Sequence, residues 1–269
     1  STENPLTIPP SELIADRLIN SMKAIILAAG VGRRLSEVTH RPKSLLSFNG
    51  RSLMQRHIDN LAALGIDRIS LCLGYEHEKI LADIHSPATV DVSFAFNPDF
   101  REGSMISLWT MREAFAGDED TILMDADVLY ERSILERLTT TSHRDVALID
   151  QDFADGDEPV KICLQDGKIV EFRKKIAADI DFDTIGESVG FFRFSPEMSR
   201  ALIGYASSYV NKGQRDEPCE EAIRDVFLAN PTRFVAEDIS GQRWIEIDFP
   251  EDVQRAEKEI LPFVDNSQS

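Results

Sequence analysis

Short apolar runs alternate with amphipathic segments through the first half of the chain. Runs of strand length cover residues 22–28, 68–73, 90–96 and 121–124. Apolar residues at helical spacing separate these runs, over residues 52–64, 76–84 and 104–115. At the start of the first helix, Ser52 and Gln55 form a capping-box pattern, and Gly65 is placed to end the helix. Strands that alternate with helices predict βαβ crossovers and a parallel sheet with helices on both faces.

The pattern changes after residue 150, where two apolar runs lie close together. Val160 to Leu164 and Lys168 to Phe172 flank the segment 165–167, whose Asp-Gly pair predicts a hairpin turn. Further strands are predicted over 189–194 and 244–247, and further helices over 196–207, 220–228 and 250–260. We therefore expect an α/β, Rossmann-like fold with three αβα layers and a mixed, mostly parallel sheet. Ligands of such sheets lie at the carboxyl ends of the strands.

The length of 269 residues, with 42% hydrophobic and 28% charged residues, suits one globular domain. We expect an N-terminal extension over 1–21 with a short helix over 11–20, a single domain over 22–262, and a tail over 263–269. The change of pattern divides the domain into two halves, 22–150 and 151–262. No apolar run approaches the roughly 18 residues of a membrane span, and the N-terminus lacks a signal-peptide pattern, which predicts a cytoplasmic protein.

Charge and cysteine content narrow the range of partners. Lys and Arg number 29 against 47 Asp and Glu, which gives a formal net charge of −18. Such a charge repels phosphate polymers and anionic lipids, so neither a nucleic acid nor a membrane is an expected partner. Cys72, Cys163 and Cys219 are far apart in the sequence and form no Cys-x-x-Cys pair. They are expected to be buried, reduced thiols rather than a disulfide framework or a zinc site.

A glycine-rich segment, residues 27–34, follows the first predicted strand directly. Glycines after a strand allow backbone N–H groups to approach phosphate oxygens, and Arg34 and Lys43 supply positive charge at either end. The segment lacks the Gly-Lys-Ser/Thr ending of a Walker loop and the Gly-x-Gly-x-x-Gly pattern of dinucleotide sites. A lone Gly-x-Gly pair more often serves only a turn, but the preceding strand and the flanking basic residues favour a phosphate loop.

Two carboxylate pairs are spaced to share a side of extended backbone. Asp125 and Asp127 follow the apolar run 121–124, and Glu246 and Asp248 lie on one face of the strand predicted near 244–247. A solvated acidic turn is the alternative for either pair alone. Two such pairs near apolar strands favour a site for a hard cation, since buried like charges are costly without one.

The motifs together resemble a known family. Leu-Ala-Ala-Gly-x-Gly-x-Arg over 27–34, followed by Thr39-His40-Arg41-Pro42-Lys43-Ser44-Leu45, resembles the signature of the sugar-phosphate nucleotidyltransferase superfamily, with one extra residue between Thr39 and Pro42. Trp-Ile-Glu-Ile-Asp over 244–248 and the segments 159–162, 172–175, 186–190 and 220–223 resemble its phosphocholine cytidylyltransferase branch. The likeness extends from residue 22 to about residue 260 and implies the nucleotidyltransferase fold, with the first half binding the nucleotide and the second the acceptor.

The resemblance also implies roles for individual residues. Lys43 and Arg34 would be catalytic, and Mg²⁺ would be held by Asp127, Glu246 and Asp248, with Asp125 as the alternative to Asp127. The nucleotide would contact Leu27, Ala28, Ala29, Gly30, Gly32, Arg34, Ser104, Ser107 and Asp125. The acceptor would contact Lys174 or the adjacent Lys175, together with Glu187 and Glu220. A phosphate monoester is largely dianionic at neutral pH, so it could attack the α-phosphorus without a general base.

Three functions are compatible with these residues. The first is a cytidylyltransferase for phosphocholine or a related small phosphorylated or phosphonate compound, and the second is a sugar-1-phosphate nucleotidyltransferase. The third is a catalytically silent subunit that senses nucleotides. The expected ligands are CTP or another NTP and a small phosphorylated acceptor, and a homodimer is one compatible assembly. Aromatic side chains that could face a choline group are Trp109, Phe153, Phe191 and Phe192, whereas the acidic run 150–158 is expected to be a solvated loop or a lid.

Overall fold

The structure is a computed structural model that describes residues 21–32, 34–35 and 41–266. The helix predicted over 11–20 and the Thr39-His40 pair of the motif lie outside these residues. None of the described helices is both long enough and apolar enough to cross a bilayer. The three cysteines are buried and free, as expected.

Thirteen strands are found in the described part of the chain. They are β1 (Met22–Ala28), β2 (Ser47–Phe48), β3 (Arg51–Ser52), β4 (Arg68–Leu73), β5 (Asp91–Phe96), β6 (Asp120–Asp125), β7 (Val128–Tyr130), β8 (Val146–Asp150), β9 (Lys161–Gln165), β10 (Lys168–Arg173), β11 (Thr184–Phe194), β12 (Val235–Asp238) and β13 (Trp244–Glu246). Nine of them form a central sheet in the order β10-β9-β11-β6-β1-β4-β5, with β8 paired to β11 and β12. The strands β6, β1, β4 and β5 run parallel, whereas β11 runs antiparallel to β6 and β9.

Helices cover both faces of this sheet. They are α1 (Leu53–Ala63), α2 (His77–Asp83), α3 (Ser104–Thr110), α4 (Arg132–Thr140), α5 (Pro196–Asn211), α6 (Cys219–Ala229), α7 (Pro250–Arg255) and α8 (Leu261–Asn266), with a 3₁₀ turn over Lys43–Leu45 and a π-helical turn over Ala256–Ile260. In β1, Ala24 and Ile26 pack in a core with α1, α2 and α4, whereas Ile25 packs in a core with α3, α5 and α6. The alternation follows from the two-residue period of a strand and confirms the predicted αβα layers.

Most predicted elements are confirmed, with shifted ends. The Ser52 hydroxyl accepts a hydrogen bond from the Gln55 N–H at 3.1 Å, so the predicted start of α1 is correct. Asp166 and Gly167 both have positive φ, 51° and 73°, as a two-residue turn between β9 and β10 requires. The helix predicted over 104–115 ends at Thr110 and continues as turns. Elements that the sequence pattern missed are β2, β3, β7, α4, β8, β12 and α8.

A third, smaller core lies under the C-terminal helices. Leu35, Phe48 and Ile247 pack there against residues of the π-helical turn and α8, including Val264, which is 1% exposed. Residues 263–266, which the sequence assigned to a tail, therefore continue a packed helix. Val264 therefore contributes to a core beyond residue 262, where the sequence analysis places the end of the domain.

Candidate active site

The carboxyl ends of β1 and β6 form one wall of a cavity at the edge of the sheet. These strands are parallel neighbours, and their register places Leu27 opposite Asp125. The cavity has a volume of about 510 Å³. Its lining includes Leu27, Ala28, Ala29, Gly30, Gly32, Lys43, Ser104, Ser107, Asp125, Asp127, Glu220 and Glu246. We call it the glycine cavity. The fold thus places residues from six separate segments around one space, at the edge where such sheets bind ligands.

The glycine loop is fixed by close contacts that only glycine permits. Gly32 has φ of 59°, and a Cβ there would lie 2.7 Å from the Lys43 side chain. At the end of β4, a Cβ on Gly74 would lie 2.7 Å from the carbonyl oxygen of Ala29. The Tyr75 N–H donates to the same carbonyl at 3.0 Å. The loop is therefore held between the Lys43 stem and β4, while Gly30 faces open space.

Lys43 lies in the 3₁₀ turn with its ammonium group between two carboxylates. Its Nζ donates to Asp127 Oδ2 at 2.9 Å and also to Asp248 Oδ1. Burial alone would lower the pKa of Lys43, but the charges of Asp127 and Asp248 outweigh burial and raise the pKa above its ordinary value. Lys43 therefore remains a cation throughout the physiological pH range.

Three carboxylates meet beside this ammonium group. Oxygen atoms of Asp127, Glu246 and Asp248 lie within 4.8 Å of one another. The pairing of β13 with β7 brings them together, since Glu246 is opposite Val128 and the Ile247 N–H donates to the Asp127 carbonyl at 2.9 Å. Burial and the negative charges of Asp127 and Asp248 raise the pKa of Glu246 well above its ordinary value. Oxygen ligands converging at this distance suit a hard divalent cation.

Asp125 lies deeper in the site, at the end of β6. Burial, followed by the charges of Asp127 and Glu220, raises the pKa of Asp125 well above its usual range. Its carboxylate rests on Gly190, where φ is 79° and a Cβ would lie 2.2 Å from Asp125 Oδ2. Gly190 therefore belongs to the site. The sequence analysis assigned it no role, although it lies in the 186–190 segment that resembles the family.

The two basic residues expected to bind phosphates both bind Glu158. The Arg34 guanidinium lies 3.1 Å from a Glu158 oxygen and 4.7 Å from the centre of the Phe249 ring. Lys174 Nζ lies 3.3 Å from the same oxygen, and about half of each basic side chain is exposed. Arg34 is not among the described residues that line the glycine cavity. The structure therefore places Arg34 and Lys174 near each other, with Glu158 between them.

The hydroxyl groups of the two predicted serines are engaged inside the protein. Ser104 Oγ accepts from the Cys219 N–H at 2.8 Å, and Ser107 Oγ accepts from the Asn97 side-chain amide at 3.0 Å. Both residues still line the glycine cavity. Glu220, at the start of α6, lines the same cavity. The serine contacts tie α3 to α6 and to the end of β5, and so shape the wall of the cavity.

A second cavity, of about 280 Å³, adjoins the carboxylate cluster. It contains Glu187, the third residue expected to bind the acceptor, and it shares Glu246 and Asp248 with the cluster. Its other lining residues include Asp150, Asp152, Phe153, Glu158, Trp244, Phe249 and Arg255. Of the aromatic residues considered for a choline group, Phe153 lines this cavity. Phe191 and Phe192 are buried in the two cores on either face of the sheet, and Trp109 packs against the core that contains Phe192.

A buried histidine supports the loop between Asp125 and Asp127. His57 Nε2 donates to the Ala126 carbonyl at 3.1 Å, which leaves Nδ1 to accept from the Tyr130 hydroxyl at 3.4 Å. Burial lowers the pKa of His57 to about 4. His57 is therefore a neutral packing residue. It also supports the loop between Asp125 and Asp127, a role that the sequence did not indicate.

Comparisons with known proteins show the family and the fold. Residues 24–178 match the family described as "MobA-like NTP transferase domain". A "Bifunctional IPC transferase and DIPP synthase" from Rubrobacter xylanophilus is 29% identical over 88% of this chain and 52% of its own length. "CMP-5'-(3-aminopropyl)phosphonate synthase" from Streptomyces rubellomurinus is 24% identical over 90% of this chain and 39% of its own length, so the chain spans about half of these relatives or less. The solved structure of CTP:phosphocholine cytidylyltransferase from Streptococcus pneumoniae superposes with a TM-score of 0.68 at 21% identity, over 88% of this chain and 98% of that one.

Proposed function

Because this chain belongs to the family of MobA-like NTP transferase domains, we propose that it transfers a nucleotidyl group from an NTP to a small acceptor. The acceptor carries a phosphate or phosphonate group, the nucleotide is CTP, and pyrophosphate is released. The observation that carries the proposal is the position of Lys43, in contact with both the glycine loop and the carboxylates of Asp127 and Asp248.

The chemistry follows from the groups around the glycine cavity. An oxygen of the acceptor phosphate forms a bond to the α-phosphorus, the bond from that phosphorus to the bridging oxygen breaks, and pyrophosphate leaves with the electron pair. Such transfers depend on positioning and charge stabilisation, and a dianionic acceptor needs no general base. Backbone N–H groups of the glycine loop would hold the triphosphate, and the Lys43 ammonium would stabilise the charge that develops on its oxygens.

The carboxylate cluster fits a magnesium ion. Asp127, Glu246 and Asp248 provide hard oxygen ligands within 4.8 Å of one another, and their mutual repulsion is only partly relieved by Lys43. These three residues would hold Mg²⁺. When bound, the ion supplies positive charge to the triphosphate in addition to that of Lys43.

CTP is favoured over other nucleotides by the resemblance in the second half of the chain and by the cytidine nucleotides named for two similar proteins. We place the nucleotide in the glycine cavity, which shares Glu246 with the second cavity, whereas Asp248 lines only the second cavity. An acceptor in the second cavity would therefore lie next to Glu246, one of the residues that would hold the metal. This arrangement supports transfer between two small molecules rather than nucleotide sensing alone.

Release of pyrophosphate tests the proposal directly. The purified chain would be incubated with Mg²⁺ and each of four NTPs, crossed with phosphocholine, 2-aminoethylphosphonate, inositol phosphate and hexose-1-phosphates. We expect release with CTP and at least one small phosphorylated acceptor. The Asp127→Asn variant serves as the control for contaminating activity. No release with any combination would instead support a silent, nucleotide-binding subunit.

A further inference from the structure

The strand β13 lies outside the central sheet, although it carries Glu246 and leads to Asp248. It is three residues long, and within the described part of the chain it pairs only with β7, with Trp244 opposite Tyr130 and Glu246 opposite Val128. A pair of short strands is marginally stable without further contacts. The direction in which the two carboxylates point therefore depends on what holds β13 against the rest of the fold.

Side chains alternate between the two sides of this segment. Ile245 and Ile247 are buried in the third core, under the C-terminal helices. Trp244, Glu246 and Asp248 occupy the alternate positions, so they lie on the opposite side of the chain. A rotation of the segment about its own axis would therefore turn both carboxylates together with the Trp244 ring.

Trp244 connects the segment to the central sheet. Its indole N–H donates to Asp150 Oδ2 at 2.8 Å, and the other Asp150 oxygen accepts from the Asp152 N–H at 2.9 Å. Asp150 is buried at the end of β8, a strand of the central sheet. Because a hydrogen bond to a carboxylate is stronger than one between neutral groups, this contact fixes the Trp244 ring relative to the sheet.

The carboxylate cluster needs such a restraint. Oxygen atoms of Asp127, Glu246 and Asp248 lie within 4.8 Å of one another, and like charges at such distances repel. The Lys43 ammonium group, which relieves part of this repulsion, is hydrogen-bonded to Asp127 and Asp248. The remaining repulsion pushes β13 away from Asp127 until a cation is bound, and the indole bond to β8 opposes this movement.

We infer that Trp244 is a positioning residue for the metal site: its indole N–H, bound to Asp150, holds Glu246 and Asp248 within reach of the ion that they share with Asp127. The inference rests on the metal site of the proposed function and adds a residue to which the sequence analysis assigned no role. Trp244 acts through the ligands, since an indole N–H is a donor and cannot ligate a cation.

Binding of Mn²⁺ in the absence of substrates tests the inference. Electron paramagnetic resonance measures free Mn²⁺ as the purified chain is titrated, and Asp127→Asn defines the background from other acidic groups. Trp244→Phe keeps an aromatic ring and removes the N–H. We expect it to raise the dissociation constant of the Asp127-dependent site by about tenfold. Trp109→Phe, the same change at the other tryptophan, should keep the wild-type value, because Trp109 is on α3 and is not among the described residues that line either cavity.

A double-mutant cycle tests the pair. Asp150→Ala should raise the Mn²⁺ dissociation constant as Trp244→Phe does, and the double variant should raise it no further, because both changes break the same bond. Additive effects would show that the two residues act separately and would overturn the pairing. Circular dichroism checks folding, and Asp150→Ala decides the inference if Trp244→Phe does not fold.

Turnover separates positioning of the ligands from a role in folding alone. In Trp244→Phe, the Mg²⁺ concentration that gives half-maximal pyrophosphate release should rise by a similar factor, while kcat at saturating Mg²⁺ stays within about twofold of the wild type. A lower kcat with an unchanged Mg²⁺ requirement, or an unchanged Mn²⁺ dissociation constant, would overturn the inference and leave the proposed function intact.

The metal site and the transfer reaction fail in different ways. If Mn²⁺ binding by the wild type does not depend on Asp127, the metal site is removed and the inference with it. If Asp127-dependent binding weakens in Trp244→Phe but no combination of NTP and acceptor gives pyrophosphate, the role of Trp244 is upheld and nucleotidyl transfer is overturned.

Discussion

At the residue scale, the side chain of Lys43 connects the glycine loop to the carboxylate cluster. Its stem packs on Gly32, and its ammonium group contacts Asp127 and Asp248. Because two carboxylates raise its pKa, Lys43 cannot act as a general base at neutral pH. Its contribution to the proposed reaction is positive charge held in place before the triphosphate reacts.

Replacing Lys43 by alanine should therefore remove electrostatic stabilisation of the transition state. We expect Lys43→Ala to lower kcat by more than a hundredfold, equivalent to roughly 3 kcal/mol. Steady-state pyrophosphate release measures this change. Lys79→Ala is the matched control, because Lys79 is exposed and pairs only with Glu76 among the described carboxylates. A kcat for Lys43→Ala close to that of the control would remove Lys43 from the mechanism.

His57 should make stability depend on acid pH. Its pKa is about 4 in the folded protein against about 6.5 in an unfolded chain, so the unfolded chain binds a proton first as the pH falls. The stability that the neutral ring contributes is fully present above pH 6.5 and is lost between pH 6.5 and pH 4, by up to about 3 kcal/mol.

Urea unfolding of wild type and His57→Gln between pH 4 and pH 7 measures this loss. The free energy of unfolding of the wild type should fall more steeply with decreasing pH than that of the variant. If the free energies of unfolding of the wild type and the variant changed in parallel with pH, the pKa of His57 would be the same in the folded and unfolded states. The exposed His143 offers a control, since His143→Gln should leave the pH dependence unchanged.

At the scale of elements, most strands and helices with clear periodicity were predicted, although the amphipathic helix α4 was missed, and the short, wholly buried strands were not. The parallel strand β1 is a continuous apolar run and α1 carries a cap, so both could be identified. By contrast, β8 (VALID) and β7 (VLY) are buried along their whole length and too short to show a period. The strand β12 alternates weakly and is defined by its parallel partner β8. Their pairing partners, which are distant in sequence, decide their conformation.

The loop between β8 and β9 makes a prediction at this scale. Glu158 in this loop holds Lys174, which is expected to contact the acceptor, and Arg34, which is expected to contact the nucleotide. An arriving phosphate must compete with the Glu158 carboxylate for both. Exposed ion pairs of this kind are weak, so Glu158→Gln should lower KM for the acceptor by about twofold to fivefold with little change in kcat.

Asp155→Asn in the same loop is the control, because Asp155 contacts Lys161 rather than Arg34 or Lys174. Its KM should stay at the wild-type value. An increased KM in Glu158→Gln would mean that Glu158 orients the two basic groups for the phosphate instead of competing with it.

At the scale of the whole molecule, the sheet and the C-terminal segment meet at the carboxylate cluster. Asp127 follows the central strand β6, and Asp248 precedes α7, so the cluster joins parts of the chain about half its length apart. The repulsion among its three carboxylates opposes folding unless a cation is present. Stability should therefore report on metal binding even without substrates.

We expect millimolar Mg²⁺ to raise the melting temperature of the purified chain by several degrees. Binding to the folded state alone stabilises by about 2.7 kcal/mol when the ion is present at a hundred times its dissociation constant. Asp127→Asn should abolish the shift, whereas Asp118→Asn, in an exposed turn before β6, should retain it. The same shift in both variants would place any ion elsewhere.

The sequence by itself determined the fold class, the family and the two halves of the site. Local features encode these, because a glycine loop after an apolar strand, a Pro-Lys pair and an Asp-x-Asp turn each occupy a few consecutive residues. Family membership confirms the resemblance, although it leaves the roles of individual residues as predictions. The αβα layering also followed from periodicity, which is a property of neighbouring residues.

Only the tertiary structure decided how these pieces face one another. Pairing of β13 with β7 brings Glu246 and Asp248 to Asp127, and pairing of β11 with β8 sets Glu187 against Asp150. The position of Glu158 between Arg34 and Lys174 likewise depends on contacts over 124 and 16 residues of chain. Such contacts arise from strand register and loop packing across the fold, which no local pattern specifies.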